Sequence, residues 1–222
     1  NWIKWSLAGN TLNEGWIYSL NLQARFLSKN TEKHLLGNHL FKNSKALLFA
    51  GIFFKSKEAE NWYQIGLKIF DEQILEQVLS DGGHFELSTM YHVIFLEDLL
   101  DIVNIHRTYN KLMPRLIEQK INIMFEWLSD MCHPDNEISF FNDAALSIAP
   151  SVKEIKEYRE RLFLLNNFKK ANDGSYNLKI MKDSGYSSVS SENVFAVIDR
   201  AQIGADYIPG HAHADSLSFE LS

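Results

Sequence analysis

Cysteine is almost missing from this chain: Cys132 is the only one among 222 residues, so no disulfide can close within it. No run of about 18 apolar residues occurs, which excludes a membrane-spanning helix. Basic residues are in deficit, with 22 Lys and Arg against 28 Asp and Glu, for a net charge of −6. That balance argues against nucleic acid as a partner, since a nucleic-acid groove needs a basic stripe. A local patch of donors for another anionic polymer stays compatible with it. An opening Met, a basic leader and an apolar segment behind it are also missing, so the chain reads as the middle of a longer protein with both ends cut. What remains is ordinary for a globular protein: 45% apolar and 23% charged residues.

From residue 12 to about 170 the apolar residues recur at helical spacing. Leu12 to Leu27 puts Ile17, Leu20, Ala24 and Leu27 on one stripe. Further helical blocks are Thr31 to Phe54, Ala59 to Leu79, Tyr91 to Val103, Lys111 to Met131 and Val152 to Asn167. Turn-forming joints separate them: Asp81-Gly82-Gly83, Cys132 to Asn136 and Ala149-Pro150-Ser151. Paired helices with short turns predict a solenoid or a toroid of hairpins, and the lack of an obvious sequence repeat favours the toroid. Beyond Asn172-Asp173-Gly174 the pattern changes, and Val194 to Asp199 reads as a strand. The expected fold is therefore mainly α: an (α/α) toroid of helical hairpins over residues 1–171, followed over residues 172–222 by the first strands of a truncated antiparallel β-sandwich. The five tryptophans at 2, 5, 16, 62 and 127 are expected in the core, and His34, His106 and His133 at the surface or at caps.

Three polar clusters interrupt the apolar pattern. The first, Gly37-Asn38-His39-Leu40, carries an Asn-His pair whose side chains need partners if buried. The alternative is an N-cap at Asn38 with His39 half exposed. The second runs from Asp81 to His92. Its glycines allow a tight turn, and Ser88 or Thr89 is placed to cap the helix carrying Tyr91 and His92. A phenol and an imidazole in a first helical turn sit where negative charge is favoured, such as a tyrosinate or a substrate carboxylate. The alternative is a loop with an interfacial Tyr and a solvated His. The third is His211, His213 and Asp215, spaced so that a strand points all three to one face. Such crowding suits metal binding or acid–base chemistry. A binuclear zinc hydrolase would typically continue with another His, whereas Ser216 follows here. Asn142 and Asp143, after Phe140-Phe141, line a cleft or cap the following turn.

These clusters, in this order, resemble the heparinase II/III-like polysaccharide lyases. The likeness spans nearly the whole chain and rests on Gly37 to Leu40, Asp81 to His92 and Gly210 to Leu221. It implies a bacterial enzyme, periplasmic or secreted, that cleaves an anionic uronate-containing glycan by β-elimination. By the same resemblance the catalytic groups are Asn38, Tyr91, His92 and His211. Substrate contacts fall to His39, His84, Glu86, Asn142 and Asp143. The chemistry requires no cofactor; His213 resembles a ligand of a structural zinc or calcium whose site is incomplete in this chain. Leu87 and Thr89 stand where relatives often carry Arg and Pro. Two rival readings follow: a glycan-binding or biosynthetic accessory with little turnover, and a zinc hydrolase built on His211 and His213.

Overall fold

The computed structural model describes residues 1–35, 37–163, 176–201 and 218–222. Among the described residues, seven helices precede four strands: α1 (Trp2–Leu7), α2 (Glu14–Leu27), α3 (Asn38–Phe53), α4 (Lys57–Gln77), α5 (Thr89–Thr108), α6 (Ile117–Met131), α7 (Val152–Phe163), β1 (Asn177–Ile180), β2 (Tyr186–Ser190), β3 (Phe195–Asp199) and β4 (Phe219–Leu221). The mainly α character and the change to strands follow the sequence-based expectation. Two compact units divide the chain, Asn1–Ile74 with Asp101–Arg115, and Leu75–Leu100 with Leu116–Ser222. Two of the three boundaries fall within α4 and α5, and the third lies between Arg115 and Leu116, just before α6.

In the first unit, α2, α3 and the start of α4 bury Ala24, Leu47, Ala50, Ala59, Trp62 and Ile69 as one cluster. Helices α3 and α4 approach closely because glycine stands on each. A Cβ on Gly51 would lie 2.6 Å from the Tyr63 Cβ, and one on Gly66 would lie 3.0 Å from the Leu48 nitrogen. The buried Ser44 hydroxyl donates to the Gly66 carbonyl at 2.8 Å across the same seam. Asp101, almost wholly buried, receives Lys4 at 2.8 Å and Lys45 at 2.5 Å. These cations, with the hydrogen bonds they make, hold its carboxyl below the ordinary range although burial pushes the other way.

Two expectations change in this unit. Trp2, Trp5 and Trp16 are 49%, 41% and 43% exposed, unlike Trp62 and Trp127 at 1%. The three indoles pack against one another, two pairs edge-to-face and one tilted, with ring centroids 4.9 to 6.1 Å apart. Helical spacing marks a shared face but does not say whether anything covers it. His106 is not a surface residue: it is fully buried, with Nδ1 2.7 Å from the Ile102 carbonyl and Nε2 3.1 Å from the Tyr63 hydroxyl.

The second unit contains the sheet, whose order is β1-β2-β3-β4 with every pair antiparallel. Alternation sets its faces. Phe195, Val197 and Asp199 of β3 are buried, whereas Ala196 and Ile198 point to the more open side. The buried side joins Tyr186, Phe195 and Val197 to Trp127 and Met131 of α6, with Leu87, Phe141 and Met181 completing the cluster. β4 is tied down by His133, which meets Glu220 at 2.6 Å and the Ser222 hydroxyl at 2.9 Å.

Candidate functional site

The Asn-His pair lies in the first unit, at the start of α3. Gly37 adopts φ 65° and ψ −154°, a region open to glycine almost alone. It occupies the cap position, so Asn38 is the first helical residue rather than the cap. Asn38 is half-buried and His39 exposed. The buried amide of Asn43 fastens the preceding loop: it accepts from the Glu32 N–H at 2.8 Å and donates to the Glu32 carboxylate at 2.7 Å and the His39 carbonyl at 3.0 Å.

The Tyr-His pair lies in the second unit, at the start of α5. The turn before it is built by Asp81. Its Oδ1 accepts from the Gly83 N–H at 3.1 Å, the local side-chain-to-backbone bond that Asp forms readily. Oδ2 accepts from the Asp183 and Ser184 N–H groups at 2.9 and 2.7 Å and from the Ser184 hydroxyl at 2.9 Å. Trp127 Nε1 donates to that hydroxyl as well, at 2.9 Å. Gly82 has φ 95°, and a Cβ there would stand 2.2 Å from the Ile123 carbonyl oxygen. Asp81-Gly82-Gly83 therefore welds the turn to α6 and to the loop before β2.

Leu87 follows with φ 59°. Its side chain is buried in the Trp127–Tyr186 cluster, and its carbonyl accepts from the Tyr186 hydroxyl at 2.7 Å and the Asn142 amide at 3.2 Å. The position where relatives often carry Arg thus belongs to the core here. Ser88 caps α5: its oxygen accepts from the Tyr91 N–H at 3.3 Å while its hydroxyl donates to the Asp143 carbonyl at 2.9 Å. The Thr89 hydroxyl donates to the Ser139 carbonyl. The loop 139–143 is in this way laced to the first turn of α5.

Tyr91 is half-buried, with Asp143 hydrogen-bonded to its phenol and Glu86 close enough to act on it by charge. Burial and these two carboxylates push the phenol above its ordinary pKa. Burial, and after it the two carboxylates, disfavours the tyrosinate that a helix N-terminus would otherwise accommodate. Tyr91, Asp143 and Glu86 are the sequence-predicted residues that come together; Asn142 stands beside them, donating to Leu87 and to the Tyr186 hydroxyl at 3.1 Å.

His92 turns the other way. It is wholly buried, stacked on Trp127 with ring centroids 4.5 Å apart, and Nε2 donates to the Met124 carbonyl at 3.0 Å. Burial drives its pKa down to about 3, so the ring is neutral and touches only protein. His84 is likewise enclosed, between Phe85 and Phe95, with Nε2 3.2 Å from the Gln77 Oε1. Glu86 is 7% exposed. His211 and His213 lie outside the described residues. Among the described residues, no group of three or more His, Cys, Asp or Glu side chains is arranged to hold a metal ion, and no helix is long and apolar enough to cross a membrane.

Known proteins are similar to this chain in sequence and in fold. A family model described as the heparinase II/III N-terminus matches residues 8–169, and one described as heparinase II/III-like, C-terminal, matches residues 173–222. A heparin-sulfate lyase of Bacteroides stercoris is 32% identical over 145 residues, which are 62% of this chain and 22% of that protein. A heparin-sulfate lyase of Pedobacter heparinus is 25% identical over 223 residues, covering 91% of this chain and 32% of the relative. The crystal structure of heparinase III superposes with a TM-score of 0.79 at 19% identity, over 93% of this chain and 36% of that one. A heparan sulfate lyase structure from Pedobacter heparinus gives 0.70 at 24% identity, over 93% and 34%. The likeness shows the fold, a helical toroid followed by an antiparallel β-sandwich. The chain spans about a third or less of the length of these relatives.

Proposed function

The chain belongs to the heparinase II/III family, and on that premise we propose that the full-length protein is a polysaccharide lyase cleaving an anionic, uronate-containing glycan by β-elimination. The observation that carries the reading is the phenol of Tyr91, half-buried at the start of α5 with Asp143 hydrogen-bonded to it, where burial and the nearby carboxylates favour the protonated form. β-Elimination breaks the C5–H bond, forms a C4–C5 double bond and expels O4. It needs a base at C5, an acid at O4 and donors for the charge that grows on the C6 carboxylate. Tyr91 is the acid: a phenol kept protonated gives its proton to the departing O4. His211 is the base that takes the C5 proton. Asn38, in the first turn of a 16-residue helix, is the carboxylate donor, aided by the N–H groups around it. His39, exposed beside it, joins the sugar contacts.

His92 serves in this scheme from inside the protein, where its stacking on Trp127 fixes the turn that presents Tyr91. The binding-only alternative drew on Leu87, and a core position gives it no support. A glycan polymer is met outside the cytoplasm, so the enzyme works in the periplasm or is secreted. His213 is the residue left to ligate a structural ion; no step above passes through one.

The test is direct. The full-length protein given a uronate-containing glycan yields a product with new near-ultraviolet absorbance from the C4–C5 double bond. Tyr91→Phe lowers kcat by about 10²- to 10⁴-fold, the usual span for removing an acid–base group. New reducing ends without that absorbance would mean hydrolysis and end the proposal.

A further inference from the structure

Asp143 sits in a loop that has no regular secondary structure, yet three of its residues, Ser139, Asn142 and Asp143, are hydrogen-bonded to Thr89, Leu87 and Ser88 at the start of α5. Ser88 donates to its carbonyl at 2.9 Å and in the same stroke caps the turn carrying Tyr91. Asn142, in the left-handed region at φ 55°, reaches the Leu87 carbonyl at 3.2 Å and the Tyr186 hydroxyl at 3.1 Å. Thr89 bonds the Ser139 carbonyl. Such lacing places one carboxylate on the phenol of Tyr91. Surface loops are rarely fastened this thoroughly without a positional demand, because each bond must overcome the entropy of ordering the loop.

We infer that Asp143 is a positioning residue for Tyr91, accepting the phenol's hydrogen bond and keeping the proton on its oxygen until a sugar O4 takes it. The inference rests on the reading of Tyr91 as the acid. Among the described residues, the charged groups acting on the phenol are Asp143 and Glu86, both negative. A hydroxyl hydrogen rotates about its C–O bond, so it turns from Asp143 to O4 once the sugar is seated. After transfer, the tyrosinate finds itself beside two carboxylates. That repulsion favours the return of a proton and reloads the acid for the next cycle. The cost is a weaker acid; the gain is one that is always charged with its proton at neutral pH.

The experiment needs no turnover for its main readout. In the full-length protein, the ultraviolet difference on alkaline titration between wild type and Tyr91→Phe isolates the ionisation of Tyr91. In Asp143→Asn that ionisation moves to lower pH, because a negative neighbour is gone; in Asp143→Glu it returns towards the wild-type position. Asp143→Ser is a second neutral variant in case the amide perturbs the loop. In the elimination assay, the alkaline limb of kcat moves to lower pH with the neutral variants. Their kcat falls by roughly 10- to 100-fold, the scale of a misplaced reacting group, while KM stays nearly constant. A Tyr91 ionisation unchanged in both neutral variants overturns the inference. A wild-type protein that makes no unsaturated product instead overturns the lyase reading, and the titration still decides the role of Asp143.

Discussion

Three glycines separate two physical costs that are usually confounded. Gly9 has φ 93° with nothing within 4 Å of a Cβ added to it. Alanine there meets only the backbone penalty of a left-handed conformation, about 1–2 kcal/mol. Gly51 is helical and carries no such penalty, but its Cβ would come within 2.6 Å of Tyr63 Cβ, 2.7 Å of the Tyr63 nitrogen and 2.8 Å of the Ala59 oxygen. Real Cβ contacts essentially never fall under 3.0 Å, and two of these three partners are backbone that cannot swing aside. Alanine gains roughly 0.5–1 kcal/mol in helix propensity and loses about 1–3 kcal/mol to overpacking, for a modest net loss. Gly82 combines both effects: φ is 95° and the Ile123 carbonyl oxygen stands at 2.2 Å. Its replacement costs roughly 2–5 kcal/mol on the same two scales. Thermal midpoints of the full-length variants read the order directly, at about 2–4 °C per kcal/mol for a cooperative unit of this size. Gly82→Ala should shift furthest. If it melts no lower than Gly9→Ala, the close approach between the turn and α6 is not a feature of the folded protein.

Other consequences can be measured alongside. Asp81→Ala removes the acceptor of four hydrogen bonds and leaves the buried N–H and hydroxyl of Ser184 without it, so the midpoint should fall by several degrees and Asp81→Asn should fall less. His92 gives a pH signature: its folded pKa of about 3 lies below the unfolded value near 6.5. Its contribution is therefore fully present above about pH 6.5 and declines as pH falls towards 3, by at most about 1.4 kcal/mol per pH unit. His92→Gln should flatten that part of the stability profile; an unaltered slope would show that the ring is not buried neutral. Asp101→Asn, which strips two lysines of their shared carboxylate, should lower stability more than Glu58→Gln at the exposed Arg25–Glu58 pair.

How much of this was legible beforehand depends on what each residue answers to. Periodicity located α4 and α6 because their apolar stripes face a core, and α2 although only Ala24 of its stripe is buried, but it ran past the true ends where backbone geometry decides. The block from Thr31 begins as helix only at Asn38, since Gly37 at φ 65° and the Glu32–Asn43 bonds hold the preceding stretch in a loop. The block from Lys111 begins only at Ile117, after Pro114 and a left-handed Leu116. The tryptophan face of α1 and α2 and the burial of His106 escaped for the opposite reason: spacing reports which residues share a side, while coverage is a tertiary property. At the site, the motif spacing pointed to Tyr91 and its neighbours, and Asp143 was named from its place after two phenylalanines. Nothing local signalled that His92, adjacent in sequence, turns inward onto Trp127.

That inward turn has a mechanical consequence. Successive residues of a helix differ in direction by about 100°, and here the two rings diverge: Tyr91 stays half-buried while His92 turns onto Trp127. On the lyase reading, the first serves the chemistry and the second the frame. The imidazole is buried in its neutral form with one carbonyl partner, whereas the phenol stays half-buried with a hydrogen bond to Asp143. The motif before it divides in the same way. Asp81, Gly82 and Gly83 fix the turn through α6 and the loop before β2, and the cap at Ser88 carries that fixity to Tyr91. Loosening the frame should therefore reach the chemistry through the placement of a single hydroxyl, which is why Gly82→Ala is expected to lower kcat more than it raises KM.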